Sequence, residues 1–241
     1  MKCGLWPIGL LLCAIAQSCW AGFALAEDFV LPRAKIVTST DCKDVCPVMV
    51  TLPSGLRMSQ TQITRAQYGY FIRDTKYQQQ DWGCRWNYTD IPQTDRDPAV
   101  CLNLPDVEAY LKWLSAKAGV TYRLPTVAEY RYAAMAGEDG PYWWGQSIGK
   151  ARANCMGCGS PFDMKGTSPV GSFEPNPFGL ADVVGNAWQW TATVASNGSD
   201  HYLIGGSWAS PPADLRVSKA IWSSPKIRFN TYGLRVVTDP E

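Results

Sequence analysis

The run from Pro169 to Thr191 constrains the fold of this 241-residue chain more than any other stretch. Prolines, glycines and asparagines alternate there with Phe and Trp, and apolar residues do not recur at helical intervals. Pro175 and Pro177 would each remove a helix hydrogen bond. The run therefore predicts ordered coil, whose buried backbone groups need side-chain partners or a bound ion that several carbonyls ligate together.

Short regular elements are predicted on both sides of this coil. Three helices each begin after a residue whose side chain can cap them, over residues 64–75, 103–119 and 126–137. The predicted strands are brief and cover residues 47–51, 56–60, 188–193, 215–220 and 234–238. Residues 78–100 lack any period and predict a long loop. With no repeat or linker, the pattern indicates a single α+β domain with little regular secondary structure.

The N-terminus predicts export of the chain. Residues 1–26 combine a positive start, an apolar segment and an Ala-Leu-Ala cleavage site, which is typical of a secretory signal peptide. The apolar segment is too short for a transmembrane helix. The mature domain, residues 27–241, carries as many basic as acidic side chains. This balance argues against nucleic acid or an anionic lipid surface as the main partner.

Six cysteines remain after removal of the signal peptide, and export favours their oxidation. Their spacing suggests the disulfide pairs Cys42–Cys46, Cys84–Cys101 and Cys155–Cys158. This pairing is one of about fifteen that six cysteines allow. A zinc site in the two close pairs is the less favoured alternative, because neither pair has a histidine neighbour.

Several blocks of sequence resemble the formylglycine-generating-enzyme-like (sulfatase-modifying factor) family. They are PVMVTLPSG at 47–55, RLPTVAEYRYAAMAG at 123–137, NPFGLADVVGNAWQW at 176–190, GGSW at 205–208 and YGLRVV at 232–237. These blocks span nearly all of residues 27–241 in the family's order. The resemblance implies the C-type-lectin-like α+β fold of that family, in one domain.

The resemblance also implies two calcium-binding loops. Loop one, residues 154–165, would use the Asn154 side chain, the Cys155 carbonyl, Asp163 and the Lys165 carbonyl. Loop two, residues 182–189, would use Asp182, the carbonyls of Gly185 and Ala187, and Gln189. Gln189 replaces the family's usual glutamate, which should weaken binding at loop two. Hydrogen bonds from Asp182 and Gln189 to loop amides are the alternative interpretation.

The family's redox chemistry is not expected in this chain. In catalytic members, a cysteine pair shortly after the GGS block binds copper and oxidises a substrate cysteine to formylglycine. Here residues 205–216 read GGSWASPPADLR, Cys158 is the last cysteine, and neither Ser210 nor Asp214 replaces a thiolate ligand. A second branch binds iron through three histidines, whereas this chain has only His201, expected in a surface loop. Copper and iron are therefore not expected.

The resemblance then implies a non-catalytic binding or regulatory protein of the bacterial periplasm. Within the family, the chain is similar to regulators of type VI secretion that act upstream of a transmembrane Ser/Thr kinase. The expected partners are the periplasmic domain of such a kinase and an outer-membrane lipoprotein. Large aromatic side chains are the candidate anchors for these partners, namely Trp82, Trp86, Trp143, Trp144, Trp208 and Trp222.

Two other functions remain open from the sequence. One is a periplasmic enzyme that matures a siderophore chromophore by oxidation, with Asp214, Tyr202 or Glu174 as the base. The other is carbohydrate binding, which rests on analogy with lectin-like folds alone.

Overall fold

Three capped helices and two small sheets build the part of the chain that the structure describes. The structure is a computed structural model, and it describes residues 35–37, 42, 45–80 and 83–240. The predicted signal peptide, residues 1–26, and Trp82 lie outside these ranges. Within them, none of the helices combines the length and the apolar character that crossing a bilayer requires.

The helices are α1 (Arg65–Thr75), α2 (Leu104–Ala118) and α3 (Val127–Met135). The strands are β1 (Lys35–Val37), β2 (Met49–Thr51), β3 (Arg57–Ser59), β4 (Trp188–Val194), β5 (His201–Ile204), β6 (Ala220–Ser223), β7 (Tyr232–Gly233) and β8 (Val237–Thr238).

Each helix begins where the sequence predicts it, because its capping box is complete. The Thr64 hydroxyl accepts a hydrogen bond from the Gln67 N–H at 3.2 Å, and the Gln67 side chain accepts one from the Thr64 N–H at 2.9 Å. Asn103 and Thr126 cap α2 and α3 in the same way. These local bonds fix all three starting points.

The first sheet has the strand order β1-β2-β3-β8, and all its pairs are antiparallel. Its last pair joins distant parts of the chain, with Arg57 opposite Thr238 and Met58 opposite Val237. The second sheet has the order β6-β5-β4-β7. Its central strand β4 runs antiparallel to β5 and parallel to β7. The chain leaves β5 directly into the GGSW block at residues 205–208.

Aromatic side chains of α1 and α2 fill much of the core. Phe71 packs edge-on against Tyr110, with ring centroids 5.8 Å apart, and also contacts Trp113 and Tyr68. Trp190 on β4 is fully buried, and its indole N–H donates to the Leu102 carbonyl at 2.9 Å. The core therefore ties the helices to the second sheet, as expected for a fold in which aromatics pin long loops.

One predicted strand is wrong in position, and another is longer than the strand that forms. Residues 215–220 do not form a strand: a 3-10 turn spans Pro212–Leu215 and the strand begins only at Ala220. Val217, an apolar residue of the predicted strand, is instead buried in a loop, where its N–H donates to the Pro141 carbonyl. In the predicted strand 234–238 only Val237–Thr238 pair. His201 lies at the start of β5 and not in a loop.

Candidate functional site

The GGSW block occupies a tightly packed turn beside α3. Gly205 and Gly206 both have positive φ, 99° and 77°. A Cβ on Gly205 would lie 2.6 Å from the Tyr130 hydroxyl, and one on Gly206 would lie 2.7 Å from a methyl group of Leu215. Only glycine fits both positions, so the turn is fixed against α3 and the 3-10 turn.

Ser210 lies in the segment after the GGS block, where catalytic relatives are expected to have cysteines, and Ser207 is the serine of that block. Ser207 and Ser210 are buried, and their Oγ atoms lie 2.9 Å apart in a mutual hydrogen bond. The Ser207 N–H also donates to Ser210 Oγ at 3.1 Å. Both hydroxyls are therefore used within the turn.

The GGSW turn lies between loop one and loop two. The Met156 N–H donates to the Ser210 carbonyl at 3.0 Å, and the Trp208 N–H donates to the Asn186 carbonyl at 2.9 Å. The two loops also meet directly, since the Asn186 N–H donates to the Asn154 carbonyl at 2.9 Å. These three segments thus form one connected unit.

Loop one is closed by a disulfide and by a carboxylate. The predicted disulfides Cys42–Cys46, Cys84–Cys101 and Cys155–Cys158 are all present. Within loop one, the Asp163 carboxylate accepts hydrogen bonds from the N–H groups of Gly157 and Gly159, both at 2.9 Å. Asp163 therefore organises the turn of the Cys155–Cys158 disulfide.

Asn154 carries the feature of loop one that suits a cation. Its side chain is fully buried, and Nδ2 donates to the Gly166 carbonyl at 2.9 Å. Its Oδ1 is buried with no hydrogen-bond partner among the described residues. The Cys155 carbonyl accepts only a long bond of 3.4 Å from the Cys158 N–H, and Lys165 is exposed. The unpartnered Asn154 amide oxygen is a ligand type that calcium takes, whereas both Asp163 oxygens already accept backbone N–H groups.

Loop two has its expected ligand oxygens already engaged. Gln62, which precedes α1, is fully buried, and its Nε2 donates to the Ala187 carbonyl at 2.9 Å and to the Gly185 carbonyl at 3.4 Å. Gln189 Oε1 accepts a hydrogen bond from Arg235 Nε at 2.9 Å. Three of the four expected ligand oxygens of loop two therefore already accept hydrogen bonds from side chains of this protein. This arrangement does not fit a bound cation, because the donors occupy the positions that the ion would need.

Asp182 is the fourth expected ligand of loop two, and its side chain is buried. Its Oδ2 accepts from the Gly171 N–H at 2.6 Å, whereas its Oδ1 has no partner among the described residues. Burial raises the pKa of Asp182 to about 6, while the Gly171 bond and the Arg235 charge act in the opposite direction. Burial likewise lowers the pKa of the Arg235 guanidinium.

No group of three or more His, Cys, Asp or Glu side chains within the described ranges is arranged to hold a metal ion. The His201 ring contacts the Thr191 carbonyl at 3.2 Å.

The candidate tryptophan anchors differ in exposure. Trp222 on the edge strand β6 is 61% exposed. Trp143, Trp144 and Trp208 are half-buried, and the Trp208 indole N–H donates to the Asn230 carbonyl at 3.2 Å. Trp86 is also half-buried and packs against the core. Trp222 is therefore the most exposed of the five anchors that the structure describes.

Two of the three candidate bases line surface pockets. Tyr202 lies in a pocket of about 380 Å³ together with Arg131 and Lys219. Glu174 lies in a pocket of about 240 Å³ together with Trp143, Trp144, Lys150 and Arg152. Asp214 instead lies 3.7 Å from the Lys219 ammonium group.

The fold and the three connected segments define the class of protein. A family model described as the sulfatase-modifying factor enzyme 1-like domain matches residues 27–240. The chain belongs to this family, and the resemblance seen in its sequence blocks is confirmed.

Individual relatives include enzymes, an inactive form and a kinase. The chain is 34% identical over 170 residues to formylglycine-generating enzyme of Mycobacterium tuberculosis, and the matched region covers 64% of this chain and 50% of that protein. It is 33% identical over 153 residues to inactive C-alpha-formylglycine-generating enzyme 2 of Bos taurus, covering 57% and 49%. It is 29% identical over 163 residues to serine/threonine-protein kinase pkn1 of Chlamydia pneumoniae, covering 60% and 24%. The matched region thus spans about half the length of the first two relatives.

A solved structure confirms the fold class. PvdO from Pseudomonas aeruginosa matches with a TM-score of 0.75 at 28% identity, over 85% of this chain and 98% of that chain. The predicted α+β fold of the family, in a single domain with little regular structure, is therefore confirmed.

Proposed function

We propose that this domain is a non-catalytic binding and regulatory protein of the bacterial periplasm. The observation that carries the proposal is the segment after the GGS block, residues 208–216, which contains no cysteine and whose Ser210 hydroxyl is buried in a hydrogen bond with Ser207. Hydroxyls are not the soft thiolate ligands that copper chemistry of this kind needs. The inactive relative in Bos taurus supports this assignment, because it carries the family's sequence without the activity.

The regulatory role is to promote activation of a transmembrane Ser/Thr kinase pathway that controls type VI secretion. The similarity to the Chlamydia pneumoniae kinase supports a functional association between this domain type and kinases. The three disulfides suit an oxidising compartment such as the periplasm, which the predicted signal peptide also favours. The partners are then the periplasmic domain of the kinase and an outer-membrane lipoprotein.

Trp222 is the anchor that the geometry favours for such a partner. It lies on β6, the edge strand of the second sheet, opposite Tyr202 of β5. Tyr202 lines the pocket that also contains Arg131 and Lys219. An exposed indole paired across the sheet with Tyr202, whose pocket contains two cationic side chains, suits an interface with an aromatic contact at its centre and acidic groups around it.

The test compares Trp222→Ala with a matched control in the full-length chain. A deletion strain is complemented with wild-type protein, with Trp222→Ala or with Tyr70→Ala, which truncates an aromatic residue that is 37% exposed on α1. Loss of a central aromatic anchor removes about 2 kcal/mol of binding energy, or roughly 30-fold in affinity. We therefore expect Trp222→Ala alone to lower kinase phosphorylation and recovery of the kinase or lipoprotein by crosslinking.

Two results would contradict this proposal. One is purified protein that holds copper tightly or converts a cysteine peptide to formylglycine. The other is a wild-type crosslinking experiment that recovers neither a kinase nor a lipoprotein of the envelope.

Calcium at loop one is part of the proposal. The residues that would hold it are Asn154, Cys155, Asp163 and Lys165, through side-chain or carbonyl oxygens. The buried Asn154 Oδ1 without a partner supports this site. Calorimetric titration of the chelated protein should detect calcium binding that Asp163→Asn weakens. No heat of binding in the wild-type protein would exclude calcium from loop one.

An enzyme of siderophore chromophore maturation is the second candidate function. The pocket positions of Tyr202 and Glu174 favour it, because a base must be accessible to a substrate. The similarity to a formylglycine-generating enzyme also supports an enzymatic role. Deletion of the gene should change pigment and leave secretion intact if this function is correct, whereas the regulatory function predicts the opposite.

A further inference from the structure

We propose that side chains of this chain replace the calcium ion in loop two, so that loop two keeps its conformation without metal. The proposal is independent of the regulatory function, since it concerns only how the loop is held. It departs from the calcium site that the family resemblance implies for Asp182, Gly185, Ala187 and Gln189.

Gln62 is the first of these side chains. Two carbonyls of loop two, those of Gly185 and Ala187, converge on its Nε2 at 3.4 and 2.9 Å. Carbonyls that converge on one point need either a cation or a hydrogen-bond donor there, because buried backbone oxygens without partners are costly. Gln62 is fully buried and comes from a segment more than a hundred residues earlier, with a separation of 123 positions from Gly185. Its amide group thus performs the bridging that an ion would perform.

Arg235 supplies the positive charge. Its guanidinium is fully buried and donates to the carbonyls of Ser59 at 2.6 Å, Gln60 at 3.0 Å and Ala181, as well as to Gln189 Oε1. This cation already binds the segment that leads into loop two. A divalent ion placed among the same oxygens would be repelled by the buried guanidinium in a medium of low dielectric constant.

Gln189 is held at both ends of its amide group. Its Oε1 accepts from Arg235, and its Nε2 donates to the Tyr130 hydroxyl at 2.7 Å and to the Asp182 carbonyl at 3.3 Å. A glutamate would lose the Nε2 donor and bring a second carboxylate next to Asp182. Glutamine therefore fits the donor network, whereas a carboxylate fits an ion. The only acidic side chain of loop two is Asp182, and the charge of Arg235 offsets part of the cost of burying its carboxylate.

The test is a calcium titration of the full-length, disulfide-intact chain after treatment with a chelator. We expect a stoichiometry of at most one ion, and we expect Asp182→Asn to leave any calcium affinity unchanged within two-fold, because loop two does not take part. The matched control is Asp163→Asn in loop one, which should weaken any such binding at least ten-fold.

A gain-of-site variant tests the same idea in the other direction. The double change Gln62→Glu with Gln189→Glu removes both amide donors and adds two carboxylates, which together with Asp182 outweigh the single positive charge of Arg235. We expect this variant to show a calcium-dependent increase in melting temperature that persists when Asp163→Asn is added, whereas the Asp163→Asn single variant should show none.

The outcomes separate the two calcium proposals. Absence of calcium binding in the wild-type chain excludes the site at loop one and supports the internal donors of loop two. A stoichiometry of two, or a loss of affinity greater than ten-fold in Asp182→Asn, overturns the proposal for loop two. Where Asp182→Asn does not fold, a single ion whose affinity Asp163→Asn lowers at least ten-fold supports the proposal, whereas a single ion whose affinity Asp163→Asn leaves unchanged overturns it.

Discussion

Breaking the buried ion pair between Asp106 and Arg228 should destabilise the protein strongly. Arg228 Nε donates to Asp106 Oδ2 at 2.7 Å and Nη2 donates to Oδ1 at 3.1 Å. Both side chains are at most 1% exposed. Asp106 also accepts the Asn103 N–H at 3.0 Å and the Tyr77 hydroxyl at 3.0 Å, so it joins the cap of α2 to the residues after α1.

The expected magnitude for Arg228→Met follows from this burial. Removing one member of a buried pair leaves the other charge uncompensated, which costs about 3 to 5 kcal/mol. In a protein of this size, each kcal/mol lowers the melting temperature by roughly 2 to 4 °C, so we expect a decrease of about 6 to 20 °C. Urea unfolding followed by tryptophan fluorescence, with the disulfides intact, measures the free energy of unfolding directly.

The exposed pair Lys117–Asp74 is the matched control. Its atoms lie 3.0 Å apart, but the two side chains are 47% and 46% exposed. Lys117→Met should therefore change the free energy of unfolding by less than about 1 kcal/mol. A double-mutant cycle of Arg228→Met with Asp106→Asn should give a coupling energy above about 1 kcal/mol. If Arg228→Met were as mild as Lys117→Met, the reasoning from buried charge would be wrong.

Three further predictions concern loops and caps. Gly185→Ala should lower the free energy of unfolding in urea by more than about 2 kcal/mol, because φ is +82° and the new Cβ would lie 2.5 Å from the Asn154 carbonyl oxygen. The control Gly119→Ala, at φ +69° with open space around it, should lower it by only about 1 kcal/mol. Hydrogen bonds from Arg123 hold the pKa of Glu129 below its usual 4.5, so the stability that they provide is lost as this carboxylate protonates at low pH. Glu129→Gln should therefore make the melting temperature fall less steeply with decreasing pH below about pH 5. An equally steep fall in the variant would contradict this. Asp163→Ala should cost about 1 to 2 kcal/mol and speed limited proteolysis of loop one, because two backbone N–H groups lose their acceptor; unchanged proteolysis would argue against that role.

The features that could be predicted from the sequence are those encoded by residues close together in the chain. The starts of α1 to α3 follow from capping residues three positions apart, such as Thr64 and Gln67. The three disulfides follow from cysteine spacing and the expectation of an oxidising compartment. The strands were predicted less well, because elements of two to four residues such as β7 and β8 are too short for an alternating pattern to show.

The candidate site depends on contacts that no local pattern reveals. Asp182 and Gln189 stand out in the sequence as candidate ligands, but their partners Arg235 and Gln62 do not. Arg235 lies 46 positions after Gln189, and Gln62 lies more than a hundred positions before loop two. These partners meet loop two only because the two sheets bring both ends of the domain together. Whether an oxygen faces an ion or an amide donor is therefore decided by tertiary packing.

The pairing of β3 with β8 has a consequence for how the molecule is made. The first sheet cannot be completed until residues 237 and 238 have been synthesised, because these residues pair with Met58 and Arg57, which precede them by 179 and 181 positions. A nascent chain emerging from a ribosome or a translocation pore would therefore hold an unfinished sheet with an open edge for most of its synthesis. Chaperones that shield such edges should matter more for this protein than for one whose sheets close locally.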